Sequence, residues 1–236
     1  MSVRAKFHDL AYRAGSAIVL VLLRVPFLSN TLSLFSKVWL RHARLARHLA
    51  STSYDQVIDG GANIGEFAAL VRSTRPGIPL LCIEPHPQAA AILRGRGFDV
   101  VEAALWNEAG TGVLTQPTDA STSSTLVEKD DGSRPRWAVK RVRLDQLPLS
   151  GQKILLKLDL QGAEEVAIEG LGDKWSRLSA VLLEVSYGPD GTYEHLRELL
   201  SSHGFVEAAT FNELEELGRV IEADKLWIRA QPRTQG

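Results

Sequence analysis

The stretch over residues 57–65, Val-Ile-Asp-Gly-Gly-Ala-Asn-Ile-Gly, constrains this chain more than any other. Val57 and Ile58 are apolar and β-branched, which suits a buried strand. Gly60 and Gly61 permit backbone angles and close approaches that a Cβ would block. From Gly65 through Glu66, Phe67, Ala68, Ala69, Leu70 and Val71, no helix breaker occurs before Pro76. A strand that turns through glycines into a helix is expected to present free backbone N–H groups at the strand's carboxyl end. An α/β sheet holds a nucleotide-like ligand in that way.

The residues of the turn separate the ligand classes. A phosphate-cradling loop needs Lys and then Ser or Thr after its last glycine. Here Glu66 and Phe67 follow Gly65, and a carboxylate there repels phosphate. A dinucleotide fingerprint matches only in part, as Gly60-x-Ala62-x-x-Gly65, and Asp59 stands where a pyrophosphate would meet its charge. A nicotinamide-dependent oxidoreductase is therefore disfavoured. A cationic ligand without phosphate, such as S-adenosylmethionine, suits Asp59. It also suits Glu84, which closes the next apolar run, Leu80-Leu81-Cys82-Ile83. A carboxylate at that point can accept hydrogen bonds from both ribose hydroxyls.

The chain length of 236 residues suits one α/β domain with an appendage. The net charge of −1 gives no general preference for nucleic acid. The charge is unevenly spread, however. Residues 1–50 hold eight Lys or Arg against Asp9, a balance of +7, while the remainder carries −8. That split divides the chain into a basic helical arm, residues 1–50, and a domain, residues 51–236. The apolar run over residues 17–23 is far too short to span a bilayer, and it lacks the flanks of a signal peptide. Phe35, Val38, Leu45 and Leu49 recur at helical spacing beside Lys37, Arg41, Arg44 and His48. Such a helix either lies against an anionic membrane surface or caps the sheet, and capping is favoured. Cys82 is the single cysteine, so no internal disulfide forms and nothing suggests a metal cluster. Cytoplasmic residence is expected, with the arm as the part able to touch the inner face of the membrane.

From Tyr54 the chain alternates strand and helix, which implies right-handed crossovers and a mainly parallel sheet. Strands end at Asp59 and Glu84, a helix follows Pro87, and residues 98–105 read as a third strand. Residues 113–114 form a short strand. Residues 115–136, rich in Ser, Thr, Asp, Pro and Gly, read as a lid or as disorder. Residues 137–144 alternate as an exposed or edge strand does. Ile154-Leu155-Leu156-Lys157-Leu158-Asp159 is a buried strand, Gln161-Gly162-Ala163-Glu164 turns into a helix, and residues 178–185 form another strand carrying Glu184. Residues 193–202 read as helix. Residues 205–211 and 226–228 read as closing strands separated by an acidic loop.

Four motifs stand in order: Asp59-Gly-Gly-Ala-Asn63-Ile-Gly65, Glu84-Pro85-His86-Pro87, Leu144-Asp145-x-Leu147, and Lys157-Leu-Asp159-Leu-Gln-Gly162-Ala-Glu164. With the Glu184 strand behind them, they resemble the FkbM-type family of S-adenosylmethionine-dependent methyltransferases over about residues 50–210. The resemblance implies a class I methyltransferase (Rossmann-like) fold: a seven-stranded, mostly parallel sheet with helices on both faces and an antiparallel last hairpin. It implies S-adenosylmethionine as cofactor and O-methylation of a hydroxyl on a sugar, glycan or polyketide-like small molecule. By position, Asp59 and the turn Gly60, Gly61, Ala62, Asn63 and Gly65 would meet the methionine end. Glu84 and Pro85 would meet the ribose, and Ala104 and Leu105 the adenine. Trp106 would touch adenine or fill the core. Asp159 would lie near the methyl group.

Transfer of a methyl from a sulfonium is an in-line displacement, so the protein mainly aligns the nucleophile and excludes water. A hydroxyl is a poor nucleophile at neutral pH, so a nearby base helps. Asp159, Glu184 and His86 are the candidates. Lys157 is expected to support its strand or pair with an acid, and Glu164 to cap the helix after Ala163. The competing reading from another class is a cofactor-binding or membrane-associated scaffold without catalysis.

Overall fold

The computed structural model describes residues 37–115, 125–127 and 136–230. β1 (Gln56–Gly60) is buried along its whole length. Its register partners are β2 (Leu80–Ile83) on one side and β8 (Ile154–Leu158) on the other, both parallel to it. β3 (Asp99–Val101) extends the parallel set beyond β2, and β9 (Leu178–Ser186) extends it beyond β8. The antiparallel hairpin of β10 (Phe205–Glu216) and β11 (Arg219–Arg229) completes a seven-stranded sheet of order β10-β11-β9-β8-β1-β2-β3.

Both faces of this sheet are covered, which is why its central strands are almost continuously apolar. Alternate side chains serve the two faces. Ile58, Leu156, Leu158, Val181 and Leu183 pack with Ala167, Ile168, Leu196 and Leu200, which come from α4 (Glu164–Glu169) and α5 (Tyr193–Ser202). Val57, Leu155, Ala180 and Leu182 pack on the other face, against Leu45 and Leu49 of α1 (Lys37–Ser51) and Leu70 and Val71 of α2 (Glu66–Thr74). α3 (Pro87–Gly95) adds Leu93 to Ala68, Ala69 and Cys82. Pro87 opens α3 at a position whose N–H would have no helical partner anyway.

A second, four-stranded sheet of order β4-β7-β5-β6 stands beside the first. It comprises β4 (Ala104–Leu105), β5 (Gly110–Thr115), β6 (Thr125–Val127) and β7 (Arg136–Val142).

The structure departs from the sequence expectations at several points. The third strand is two strands in different sheets, β3 and β4. A tight bend, in which the Ala103 N–H donates to the Val101 carbonyl at 3.1 Å, redirects the chain between them. β7 is an inner strand, hydrogen-bonded to β4 and β5. Its alternation records one buried and one exposed face, not an edge. The acidic loop is hairpin: Leu214, Glu215 and Glu216 pair with Glu222, Val220 and Arg219. The exposed acids there face solvent along the strand. Of the segment expected as lid or disorder, residues 125–127 form β6 on β5, and most of the rest lies outside the described residues.

The apolar face of α1 is used inside the fold, where Ala43, Leu45, Ala46 and Leu49 are buried and Arg44 and Arg47 are exposed. The apolar run at 17–23 and the rest of residues 1–36 lie outside the described residues. Among the described residues no helix is long and apolar enough to cross a membrane.

Candidate active site

The site lies where β1, β2 and β8 end. The chain leaves β1 through Gly61, at φ +69°, where an added Cβ would sit 1.9 Å from the Asp159 carbonyl oxygen. At Gly65, with φ +93°, an added Cβ would sit 2.6 Å from Leu93 Cδ2. Both positions therefore demand glycine for conformation and for space. Four backbone N–H groups of the turn, expected to be free, have partners within the fold. Those of Gly61 and Ala62 donate to the Ile83 carbonyl at 3.0 and 3.1 Å, that of Gly65 to the Ala62 carbonyl at 2.8 Å, and that of Asn63 to Glu84 Oε2 at 2.8 Å. Strand β2 and its terminal carboxylate take the donors of Gly61, Ala62 and Asn63.

Glu84 is 6% exposed, and its other oxygen, Oε1, accepts the His86 N–H at 2.8 Å. Burial pushes its carboxyl up from the usual range, and the two amide bonds oppose that shift. A carboxylate offers roughly four acceptor sites, so two remain for a ligand.

Asp59 is 0% exposed. It faces Lys157, its register partner on β8, with Nζ 3.1 Å from Oδ1. The same ammonium lies 3.7 Å from Asp159 Oδ2 and donates to the carbonyls of Gly60 and Gly61 at 3.3 and 3.1 Å. Burial works against the charge on Lys157, but Asp59 and Asp159 outweigh it and raise the ammonium above its ordinary range. Burial raises Asp59 on balance.

After β8, Asp159 keeps a side chain 36% exposed. Gln161 Nε2 donates to Asp159 Oδ1 at 3.0 Å and to Glu184 Oε2 at 2.9 Å, so one amide joins the two acids. Gln161 sits at φ +56°, a left-handed conformation that a residue with a side chain adopts at a cost of order 1–3 kcal/mol. Glu164 holds this turn from below, accepting the Leu160 N–H at 2.6 Å and the Gly162 N–H at 3.1 Å. Burial alone would raise Asp159. The Lys157 charge and the bonds from Gln161 and Glu184 instead hold it below the usual carboxylate range. Glu184 moves the other way. Burial first, then the charges of Asp159 and Glu222, push it up to about 9. The two carboxyls titrate as a pair, with Asp159 held low by Lys157 and Glu184 pushed up by burial.

A cavity of about 390 Å³ opens between these elements, within the usual range of small-molecule sites. Of the residues singled out from sequence, Gly61, Asn63, Glu84, Pro85, His86, Ala104, Leu105 and Asp159 line it. Gly60 and Gly65 support the turn from within, Ala62 is buried beside α2, and Asp59 lies beneath. Glu184 reaches the lining through Gln161. His86 lies at the β2 end, with its ring centroid 4.4 Å from that of Trp137 on β7; burial lowers its pKa. Trp106 is not part of the lining; the Arg141 guanidinium lies 5.7 Å from its ring centroid. Sequence reasoning missed Gln161, Ile83, Ala103 and Leu114 as lining residues. An ionisable residue inside the run Leu-Leu-Lys-Leu signals a buried charge pair, but nothing local names its partners.

The cavity fits S-adenosylmethionine chemically. Ala103, Ala104, Leu105 and Leu114 give an apolar end, Glu84 an acceptor for hydroxyls, and Gly61, Asp159 and Gln161 a polar end. The turn offers no phosphate cradle, and this cofactor needs none. The strand order and the acid-closed strands define the class I methyltransferase architecture. A family model described as "Methyltransferase FkbM domain" matches residues 59–207, so the chain belongs to the FkbM methyltransferase family and is an S-adenosylmethionine-dependent methyltransferase.

Relatives agree with that membership. "31-O-demethyl-FK506 methyltransferase FkbM" of Streptomyces tacrolimicus is 28% identical, over 66% of this chain and 74% of the relative. "Methyltransferase sdnD" of Sordaria araneosa is 24% identical, over 73% and 81%. Among solved structures, magnesium protoporphyrin IX methyltransferase from Synechocystis is similar at TM-score 0.45 and 9% identity, covering 92% of this chain and 97% of that one.

Proposed function

We propose that this protein methylates an oxygen, transferring the methyl group of S-adenosylmethionine to a hydroxyl of a sugar, glycan or polyketide-like small molecule. The observation that carries this reading is the geometry at the end of β8 and β9: Asp159 in the cavity wall, joined through the Gln161 amide to Glu184. A bound S-adenosylmethionine supplies an electrophilic methyl on a good leaving group. Glu84 accepts from the ribose hydroxyls, and the apolar wall excludes water. Asp159 accepts the proton of the attacking hydroxyl as the oxygen approaches. Gln161 fixes both carboxyl groups, which holds the base in reach of its proton. The name of the Streptomyces relative, which specifies an O-demethyl compound, supports oxygen as the accepting atom.

The test uses S-adenosylmethionine carrying a 13C-methyl group, offered with monosaccharides, glycans and macrolide-like polyketides that bear free hydroxyls. The product's 13C resonance should fall in the O-methyl region. A methyl found on nitrogen or carbon would overturn the reading.

A further inference from the structure

We propose that Lys157 is a positioning residue for methyl transfer, a buried strut whose ammonium ties the turn after β1 to the Asp159 carboxylate. This rests on the reading of Asp159 as the proton acceptor.

Four oxygens from two strand ends converge on this one ammonium. Asp59 Oδ1 at 3.1 Å and the carbonyls of Gly60 and Gly61 at 3.3 and 3.1 Å belong to the β1 end. Asp159 Oδ2 at 3.7 Å belongs to the β8 end. The two ends touch through the backbone as well, where the Asp159 N–H donates to the Gly60 carbonyl at 3.2 Å and Gly61 packs against the Asp159 carbonyl. The Lys157 side chain is only 12% exposed, so solvent screens these attractions little. A buried ammonium has three donors to satisfy, so the number of its partners is ordinary; what marks Lys157 is that they come from two strand ends. It thus spans the seam between the wall that receives the cofactor and the group at the reacting end.

The charge balance around Asp159 gives the strut its sign. Asp59 from β1, Glu84 at the end of β2, Glu164 from α4, Glu184 from β9 and Glu222 and Asp224 from β11 are the acids that interact with Lys157, Asp159 or Glu184. Each ionised acid among them favours a neutral Asp159, and Lys157 is the cation that opposes them. Removing Lys157 should therefore protonate Asp159 more easily. Removing Asp59 deletes a repulsion and leaves the ammonium more fully to Asp159, so it should do the reverse.

Carboxyl 13C titration of the full chain, labelled at aspartate, reads this directly, with the Asp159 resonance identified by its loss in Asp159→Asn. In Lys157→Gln the Asp159 midpoint should rise by about one to three pH units, the usual effect of losing a close opposite charge. In Asp59→Asn it should fall. If Lys157→Gln does not fold, the paired replacement Asp59→Asn with Lys157→Met removes both buried charges together, a change that cores tolerate. In that background the midpoint should still rise, because the Lys157 ammonium, 3.7 Å from Asp159 Oδ2, is the charge that acts on Asp159 most strongly. A midpoint that stays put when Lys157 is removed, or that rises in Asp59→Asn, overturns the proposal. Because the titration needs no acceptor substrate, a failure to find methyl transfer to oxygen would leave this result standing or falling on its own.

Discussion

The two ends of the cavity are built by different means. At the β2 end, Glu84 is fixed by main-chain donors, the N–H groups of Asn63 and His86. At the β8 end, Asp159 and Glu184 are fixed by side chains, Gln161 between them and Lys157 behind. Main-chain bonds hold geometry whatever the protonation state of distant groups. A cluster of side chains can share and move a proton. The first construction suits recognition of a constant ligand, and the second suits a reaction in which a proton changes hands. Under the proposed function the β2 end is the binding end and the β8 end the reacting end, and mutations should affect them differently.

The largest difference is expected from Asp159→Asn, which keeps the shape and removes the basicity. Single-turnover methyl transfer should fall by about 10²–10⁴-fold, as loss of a general base does. Affinity for S-adenosylhomocysteine should stay within a few-fold of the native value. A native transfer rate in this variant would erase the distinction and turn attention to Glu184. Glu84→Ala should show the converse. Calorimetry should find cofactor affinity weakened by about 1.5–3 kcal/mol, the worth of hydrogen bonds to a charged group. At saturating cofactor the transfer rate should be largely retained. Unchanged affinity with the fold intact would remove Glu84 from the binding end.

The two ends were also unequally legible in the sequence. The parallel strands announce themselves because burial on both faces leaves runs such as Ile154-Leu155-Leu156 without alternation. Acids that close such runs, Asp59, Glu84 and Asp159, are then placed at one sheet edge by topology alone. The side of the sheet each acid occupies depends on register, and register is a tertiary property. That is why Asp59 turns out to sit beneath the turn with Lys157, while Glu84 and Asp159 line the cavity. Gln161 was legible as part of the turn into the helix but not as a lining residue, because its left-handed conformation leaves no compositional trace beyond the glycine that follows it. The small sheet was the least legible part. A two-residue strand such as β4 carries no periodicity, and its pairing with β7 is non-local. The hairpin's exposed acids imitated a loop for the same reason, since solvent-facing strand positions tolerate any polar residue.

A smaller effect should follow pH. The folded protein raises Glu184 from 4.5 to about 9, chiefly by burial. The unfolded chain releases that proton at the lower value, so between the two the native state binds more protons. The stability this group contributes is therefore fully present below about 4.5, falls as pH rises, and is gone above about 9. Glu184→Gln keeps a neutral side chain at every pH and should flatten this decline. Melting temperatures of the two proteins should converge at mildly acidic pH, with the native protein losing ground toward pH 9. Parallel curves would mean that Glu184 carries no retained proton, and the reacting end would then hold two charged acids.

The smallest expected effect concerns the boundary of the binding end. Trp137 does not line the cavity, yet its ring lies 4.4 Å from that of His86, which does. It also packs with Ala104 and Leu114, two more lining residues. The second sheet thus forms part of the apolar wall through Ala104, Leu105 and Leu114, and Trp137 and Val139 of β7 pack behind it. Ring pairs of this kind are worth about 0.5–1.5 kcal/mol beyond their buried area. Trp137→Ala should therefore weaken S-adenosylhomocysteine by roughly 2–12-fold, because the wall loses part of its backing but keeps its own atoms. The single-turnover rate at saturating cofactor should be unchanged, since Asp159, Gln161 and Glu184 lie at the other end. Trp137→Phe preserves a ring against His86 and should recover most of the affinity. If transfer slows in Trp137→Ala while affinity holds, the small sheet serves the reacting end, and the division of the cavity must be redrawn with β7 on the other side.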